Sequence, residues 1–268
     1  MGKKARLNEA ISHEELMYIE EKKSGAKFQY LDAYKNQLKT QTAMKVEIKC
    51  KNEKQKQFLN QLKDKSKEIV IGCGSAGCGK SFVSLAYALK ALKENDFERV
   101  VMVIPTAPAG GKDMDLGLLK GELSSKVEPY QQADKETIKK ILKLSGTQDW
   151  DSMAENLIRS GKIQYEFINY LLGKTFDDAL ICVNEAEQFT KSNMRLILSR
   201  MGENSKIVIT GDSKQVNRRD IVNKKDISGL DFVINNLNQL DEVGITEFIE
   251  EDIVRNPLIT KILKIFDK

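Results

Sequence analysis

A chain of 268 residues, 41% hydrophobic and 31% charged, has the composition of a folded globular protein and can bury one substantial core. No apolar stretch approaches the ~18 residues that a membrane-spanning helix requires, and residues 1–6 lack the apolar run of a secretory signal. A cytoplasmic protein without a membrane partner is therefore expected. The four cysteines form no CxxC pair and His13 is the sole histidine, which argues against a zinc site.

Charge is unevenly spread along the chain. The net charge is +4, but residues 1–67 hold 16 Lys and Arg against 9 Asp and Glu. Such a segment attracts polyanions such as RNA or single-stranded DNA, and it also fits a solvated, lysine-rich helical face. Apolar residues recur at helical spacing near the start of the chain. We therefore predict a basic helical N-terminal arm over residues 1–45 and one main domain over residues 46–268.

In the predicted domain, short apolar runs alternate with helical patterns. Four runs lack the polar alternation of half-exposed strands, which is typical of strands covered on both faces of a parallel sheet: residues 68–72, 99–104, 179–183 and 206–210. Residues 81–93 carry an apolar helical stripe, and residues 128–160 are charged and mostly helical. We expect the latter to pack over one edge of the sheet. The alternation predicts an α/β fold, a mostly parallel sheet with helices on both faces, which binds ligands beyond the carboxyl ends of its strands.

A glycine-rich loop follows the first run and opens the first helical pattern. It reads Gly74-Ser75-Ala76-Gly77-Cys78-Gly79-Lys80-Ser81, which fits the phosphate-binding pattern G-x-x-x-x-G-K-[ST]. Glycines allow the backbone angles that turn N–H groups towards an anion, and a helix start adds the positive end of its dipole. We predict that these eight residues bind ATP, that Lys80 reaches the β- and γ-phosphates as a catalytic group, and that the Ser81 hydroxyl is a ligand of Mg²⁺.

Acidic residues follow the third run, at Asn184-Glu185-Ala186-Glu187. The usual second half of such a site is a strand followed by Asp-Glu, in which the Asp holds a Mg²⁺-bound water and the Glu activates the attacking water. Asn184 stands at the Asp position, where its amide oxygen accepts a hydrogen bond but supplies no charge. We predict Asn184 as a metal-site residue and Glu185 as the general base, with Glu187 as a less favoured substitute. Nucleotide binding should survive while Mg²⁺ affinity and turnover fall.

Two further segments complete the predicted site. After the fourth run, Gly211-Asp212-Ser213-Lys214-Gln215 places a carboxylate and an amide at a strand end, and we predict that Gln215 orients the attacking water. Arg255 precedes a helical pattern over residues 258–266. Its guanidinium suits the neutralisation of charge on a transferring phosphoryl group, in its own chain or a neighbour's. The alternative for Arg255 is a surface ion pair with a nearby acidic residue.

Together these segments resemble the PhoH family, phosphate-starvation-inducible ATPases related to the motor core of superfamily 1 helicases. The resemblance runs from about residue 51 to the C-terminus, and residues 116–130, 228–230 and 252–257 also fall into the family's order. It implies a RecA-like P-loop NTPase core, ATP hydrolysis, association with RNA, and a homo-oligomeric ring with a hexamer as one candidate size. It also makes Gln55 a candidate contact of adenine. Asn184 departs from the family's Asp, and Glu187 stands where Gln is usual.

Three functions remain open. The favoured one is an ATPase coupled to RNA or single-stranded DNA, a helicase-related activity in which Lys112, Lys120 and Lys126 are candidate phosphate contacts. The second is a nucleotide-gated oligomeric binding module with little or no hydrolysis, which Asn184 favours. The third is a small-molecule kinase, against which the segment 211–215 and the lack of an arginine-rich lid argue.

Overall fold

The structure, a computed structural model, describes residues 43–105, 123–215 and 227–254. The part from Met44 onward belongs to one unit, Met44–Lys268. Almost all of the predicted arm, residues 116–122 of the family resemblance, and Arg255 with its predicted helix lie outside the described residues. No helix in the described ranges is long and apolar enough to cross a membrane.

Strands and helices alternate along these ranges. The strands are β1 (Ile69–Gly74), β2 (Arg99–Ile104), β3 (Ile163–Phe167), β4 (Ala179–Val183), β5 (Lys206–Gly211) and β6 (Val243–Phe248). The helices are α1 (Glu53–Lys63), α2 (Lys80–Glu94), α3 (Leu123–Leu144), α4 (Trp150–Arg159), α5 (Lys191–Leu198) and α6 (Gly229–Leu237). Short 3₁₀ turns at Ile168–Tyr170, Ala186–Gln188, Ser213–Gln215 and Glu250–Asp252 follow four of the strands.

The six strands form one parallel sheet in the order β3-β2-β4-β5-β1-β6. The inner strands β4 and β5 are buried along their whole length, and β1 and β2 nearly so. This explains their unbroken apolar sequences, because both faces of each strand are covered. All carboxyl ends of a parallel sheet lie at the same edge, so the polar residues after β1, β4 and β5 are neighbours.

Helices cover both faces of the sheet, as predicted. On one face, α1 to α4 pack against alternate strand residues such as Val70, Leu180 and Val208. On the other face, α5 and α6 pack against the intervening residues, among them Ile71 and Ile181. The two apolar clusters are therefore the two sides of one sheet, because successive strand side chains point to opposite faces.

The four predicted strands are present, each within two residues of the expected ends. The edge strands β3 and β6 were not predicted. Residues 128–160 are mostly helical, as expected, in α3 and α4. These helices join the core beside α2, and α4 also contacts the edge strand β3.

Candidate functional site

The glycine-rich loop connects β1 to α2 at the carboxyl edge of the sheet. Gly74, Gly77 and Gly79 all have positive φ, at 118°, 86° and 83°, a region that side chains with a Cβ rarely adopt. A Cβ on Gly74 would also overlap the carbonyl oxygen of Phe248. Glycine at position 74 is therefore required twice, by its backbone angle and by the close approach of the chain after β6.

Lys80 begins α2 and folds back over the loop. Its Nζ donates to the carbonyl oxygens of Gly74 at 2.7 Å and Ser75 at 2.8 Å. The side chain is buried, and burial lowers the pKa of the Lys80 ammonium from its ordinary value. An ammonium held this way is positioned over the loop, and it must exchange carbonyl oxygens for phosphate oxygens if a phosphate binds there.

A carboxylate from the end of β5 already lies on the loop. Asp212 accepts the backbone N–H of Ala76 at 3.1 Å through Oδ2, and the N–H of Lys214 at 3.1 Å through Oδ1. The loop therefore presents at least one N–H to an anionic oxygen, which is the property that a phosphate-binding loop requires. Asp212 is buried, so its charge lies within the site.

Asn184 lies at the end of β4 and faces β5. Its Oδ1 accepts the hydroxyl proton of Thr210 at 2.8 Å. The amide oxygen, the atom predicted to face a Mg²⁺-bound water, thus already has one partner, and an amide oxygen has a second lone pair. Glu185 follows with an exposed side chain and a left-handed backbone (φ 53°), an uncommon conformation for a residue with a Cβ.

Glu187 is the more deeply buried of two buried acids in the site, with 2% of its surface exposed. Its Oε2 accepts the N–H of Asp212 at 2.9 Å. Burial raises the pKa of Glu187 to about 7, and the adjacent Glu185 acts in the same direction. Glu187 is thus held between the ends of β4 and β5 and takes up a proton near neutral pH.

Burial likewise raises the pKa of Asp134, on α3, to about 6, with Glu185 again adding to the rise.

Two segments pack against the loop and hydrogen-bond to it or to each other. The Gln55 Nε2 donates to the Cys78 carbonyl at 2.8 Å, and the Val254 N–H donates to the Gly77 carbonyl at 3.1 Å. Asn52 caps α1 through its side-chain oxygen and donates Nδ2 to the Asp252 carbonyl at 2.9 Å. The start of α1 and the chain after β6 therefore fix the loop's second half.

A cavity of about 430 Å³ lies next to the loop at the carboxyl ends of β1, β5 and β6. Its walls include Gly74 and Ser75 of the loop and Lys214 after β5. They also carry five acidic residues: Asp212, Asp231, Glu247, Glu250 and Glu251. Its volume falls within the range of small-molecule sites. The first residues of the loop therefore face open space.

The residues fit a Mg²⁺ ion that arrives with a triphosphate. No group of three or more His, Cys, Asp or Glu in the described ranges could hold a metal ion. Mg²⁺ commonly keeps several waters and takes substrate phosphates plus one or two protein oxygens as ligands. Ser81 is exposed in the first turn of α2 and Asn184 keeps one lone pair, so both have an oxygen to offer.

The predicted site residues that the structure describes therefore lie close together. The loop, Asn184, Glu185 and Gln215 follow β1, β4 and β5, which are neighbours in the sheet. Gln55 lies beneath the loop, with its amide bonded to protein atoms, and Arg255 lies outside the described residues. Sequence reasoning missed Thr210 and Asn52. The signal for Asn52 was its place as a capping residue three positions before Gln55.

A parallel sheet with helices on both faces and a glycine loop between β1 and α2 defines a RecA-like P-loop α/β fold. The chain belongs to the PhoH-like family: the family model described as "PhoH-like protein" matches residues 47–267. A PhoH-like protein of Bacillus subtilis (strain 168) is 29% identical over 258 residues, 96% of this chain and 76% of the relative.

The alignments with two other relatives cover a smaller share of the relative's chain. Protein PhoH of Escherichia coli (strain K12) is 31% identical over 218 residues, which is 81% of this chain and 57% of the relative. A PhoH-like protein of Mycobacterium leprae (strain TN) is 29% identical over 216 residues, again 81% and 57%. The chain thus matches little more than half the length of these two proteins.

Proposed function

We propose that the protein binds ATP with Mg²⁺ on the loop from Gly74 to Ser81 and hydrolyses it, in an activity coupled to RNA or single-stranded DNA. The observation that carries the proposal is the loop itself, whose Ala76 N–H already binds a carboxylate and whose Lys80 ammonium lies over its carbonyls. Both groups suit phosphate oxygens.

The predicted site residues have separate proposed parts in hydrolysis. Glu185 is exposed and accepts the proton of the attacking water, and Gln215 orients that water. Ser81 and Asn184 hold the Mg²⁺, which supplies charge neutralisation on the phosphates. Arg255 acts on the transferring phosphoryl group. In a ring of subunits, that group belongs to a neighbour's nucleotide.

The coupling to nucleic acid rests on charge. Residues 1–67 carry 16 Lys and Arg against 9 Asp and Glu, and a basic segment binds a phosphate backbone without reading its sequence. Movement along a nucleic-acid strand normally requires two RecA-like units, and this fold contributes one. In this proposal an adjacent subunit supplies the second unit.

A nucleotide-gated binding module is the second candidate. Asn184 favours it, because a neutral amide already bonded to Thr210 gives a weaker metal site than a carboxylate. In this form ATP orders a subunit interface and hydrolysis is slow or absent.

The first experiment measures ATP and Mg²⁺ binding by calorimetry for wild type and Lys80→Ala. Loss of a charge-assisted contact should weaken binding by at least about tenfold. If wild type binds neither ATP nor GTP and Lys80→Ala changes nothing, the proposal is refuted.

The second experiment separates the two candidates. Turnover is measured with and without RNA or single-stranded DNA, and the mass in solution is determined with and without ATP. Stimulation by nucleic acid supports the coupled ATPase. ATP-dependent assembly without turnover supports the binding module, and transfer of phosphate to a metabolite would instead indicate a kinase.

A further inference from the structure

We infer that Gln55 positions the phosphate-binding loop and does not read the nucleotide base. This role differs from the adenine contact that the family resemblance implies, and it rests on the proposed function because it concerns the same nucleotide site. The inference depends on where both ends of the Gln55 side chain lie.

The Gln55 amide is used at both ends inside the protein. Its Nε2 donates to the Cys78 carbonyl at 2.8 Å, and its Oε1 accepts the Lys51 N–H at 2.8 Å. Only 3% of the residue's surface is exposed. A base-reading amide needs its donor and acceptor facing the ligand, whereas these face the loop and the start of α1.

Gln55 also packs directly against the loop. A Cβ placed on Gly79 would lie 2.8 Å from the Gln55 Nε2, so the amide occupies the space beneath the loop's last glycine. Gly79 immediately precedes α2 and has φ 83°. Gln55 therefore contacts the turn that directs the following N–H groups towards the ligand.

Gln55 is itself held firmly. Asn52 caps α1 by accepting the Gln55 N–H at 2.8 Å, and it donates to the Asp252 carbonyl. The Val254 N–H binds the Gly77 carbonyl one residue before Cys78. The Gln55 amide thus belongs to a hydrogen-bond network that joins α1, the loop and the chain after β6. Through this network the place of the Gln55 side chain fixes the place of the loop.

A positioning role and a base-reading role predict different ligand dependence. If Gln55 positions the loop, its loss weakens every ligand that carries a triphosphate, by the same factor for each. If it reads adenine, its loss weakens ATP and leaves GTP and inorganic tripolyphosphate unchanged.

The test measures affinities for ATP, GTP and tripolyphosphate, each with Mg²⁺, by calorimetry at pH 8 and pH 5. The variant Gln55→Glu keeps an oxygen that accepts the Lys51 N–H. When the carboxyl is ionised, its other oxygen faces the Cys78 carbonyl and cannot replace the hydrogen bond that the wild-type Nε2 donates. We expect all three affinities to fall about tenfold at pH 8, because a bonded buried carbonyl loses its donor.

Lowering the pH should rescue this variant. A buried carboxyl beside a carbonyl is protonated more readily than one in water, and its O–H can then donate to Cys78. At pH 5 the ratio of variant to wild-type affinity should return towards one. Gln55→Leu, which offers no donor at either pH, should stay weak at both and also serves if Gln55→Glu does not fold.

Gln61 supplies a matched control on the same helix. Its Nε2 donates to the Ile245 carbonyl at 3.1 Å and its Oε1 accepts the Thr246 hydroxyl at 2.7 Å, so it ties α1 to β6 with the same kind of bonds but without touching the loop. Gln61→Glu should lower the melting temperature and leave the three affinities unchanged.

Any of four results would overturn the inference. A loss confined to ATP in the Gln55 variants assigns the amide to base recognition, and unchanged affinity for all three ligands removes any role in the site. An equal loss of affinity in Gln61→Glu would show general destabilisation instead. If wild type itself binds none of the ligands, the proposed function fails, and the inference fails with it.

Discussion

Burial of Glu187 makes the stability of the protein depend on pH. The carboxyl lies between the ends of β4 and β5 with 2% of its surface exposed, and its pKa rises from 4.5 to about 7. The folded protein thus keeps this proton at pH values where the unfolded chain has released it. Because the folded state binds more protons between those two pKa values, the free energy of unfolding falls as pH rises through them.

The size of the effect follows from the two pKa values. At 1.36 kcal/mol per pKa unit, the rise corresponds to about 3 kcal/mol, most of which is lost between pH 5 and pH 7. Glu187→Gln removes the titration and keeps an oxygen that can accept the Asp212 N–H. Relative to wild type, the variant should therefore gain about 2 to 3 kcal/mol between pH 5 and pH 8.

Urea denaturation of both proteins from pH 5 to pH 8 measures this difference directly. Thermal melts should show the same trend, a relative gain of roughly 4–12 °C for the variant, since 1 kcal/mol shifts a domain of this size by about 2–4 °C. The control is Glu203→Gln, which removes an exposed carboxyl and should keep the wild-type pH dependence. If Glu187→Gln and wild type lose stability in parallel, the carboxyl does not hold a proton in the fold.

Three further predictions concern the site. Asn184→Asp should raise turnover, because a carboxylate adds charge at the metal position; unchanged or lower hydrolysis with intact ATP binding would contradict the assignment. Arg255→Ala should lower turnover with nearly unchanged ATP affinity, and mixed oligomers would show whether the arginine acts in trans; joint loss of binding and hydrolysis would indicate a structural role. Asp212→Asn should tighten tripolyphosphate binding in calorimetry, because a competing charge is removed, yet lower the free energy of unfolding by about 1–3 kcal/mol, because Ala76 and Lys214 both donate to the carboxylate. Weaker tripolyphosphate binding would show that Asp212 supports the ligand.

The sequence predicted the inner strands because they are apolar without interruption, which requires burial on both faces. The edge strands β3 and β6 were missed because their sequences are interrupted by polar residues: Ile-Gln-Tyr-Glu-Phe in β3 and Val-Gly-Ile-Thr-Glu-Phe in β6. A strand at the edge of a sheet tolerates such residues, so it lacks the continuous apolar sequence that identified the inner strands. The strand order also depends on crossovers that no local pattern records.

For the site, the loop from Gly74 to Ser81 was predictable because its function requires particular residues at fixed spacing. The partners of those residues were not. Glu187 binds the Asp212 N–H, and Thr210 binds Asn184, only because β4 and β5 are adjacent. Such contacts between segments distant in sequence arise from tertiary structure, and no spacing rule within one segment reports them.

The bond from Val254 to Gly77 makes the loop and the chain beyond β6 one thermodynamic system. If a molecule shifted the residues after β6 and the loop moved with them, the affinity of the loop for a phosphate ligand would change. By reciprocity, occupancy of the loop must change that molecule's affinity by the same factor. Such coupling would need no moving domain, because the backbone contact between Val254 and Gly77 already joins the two segments.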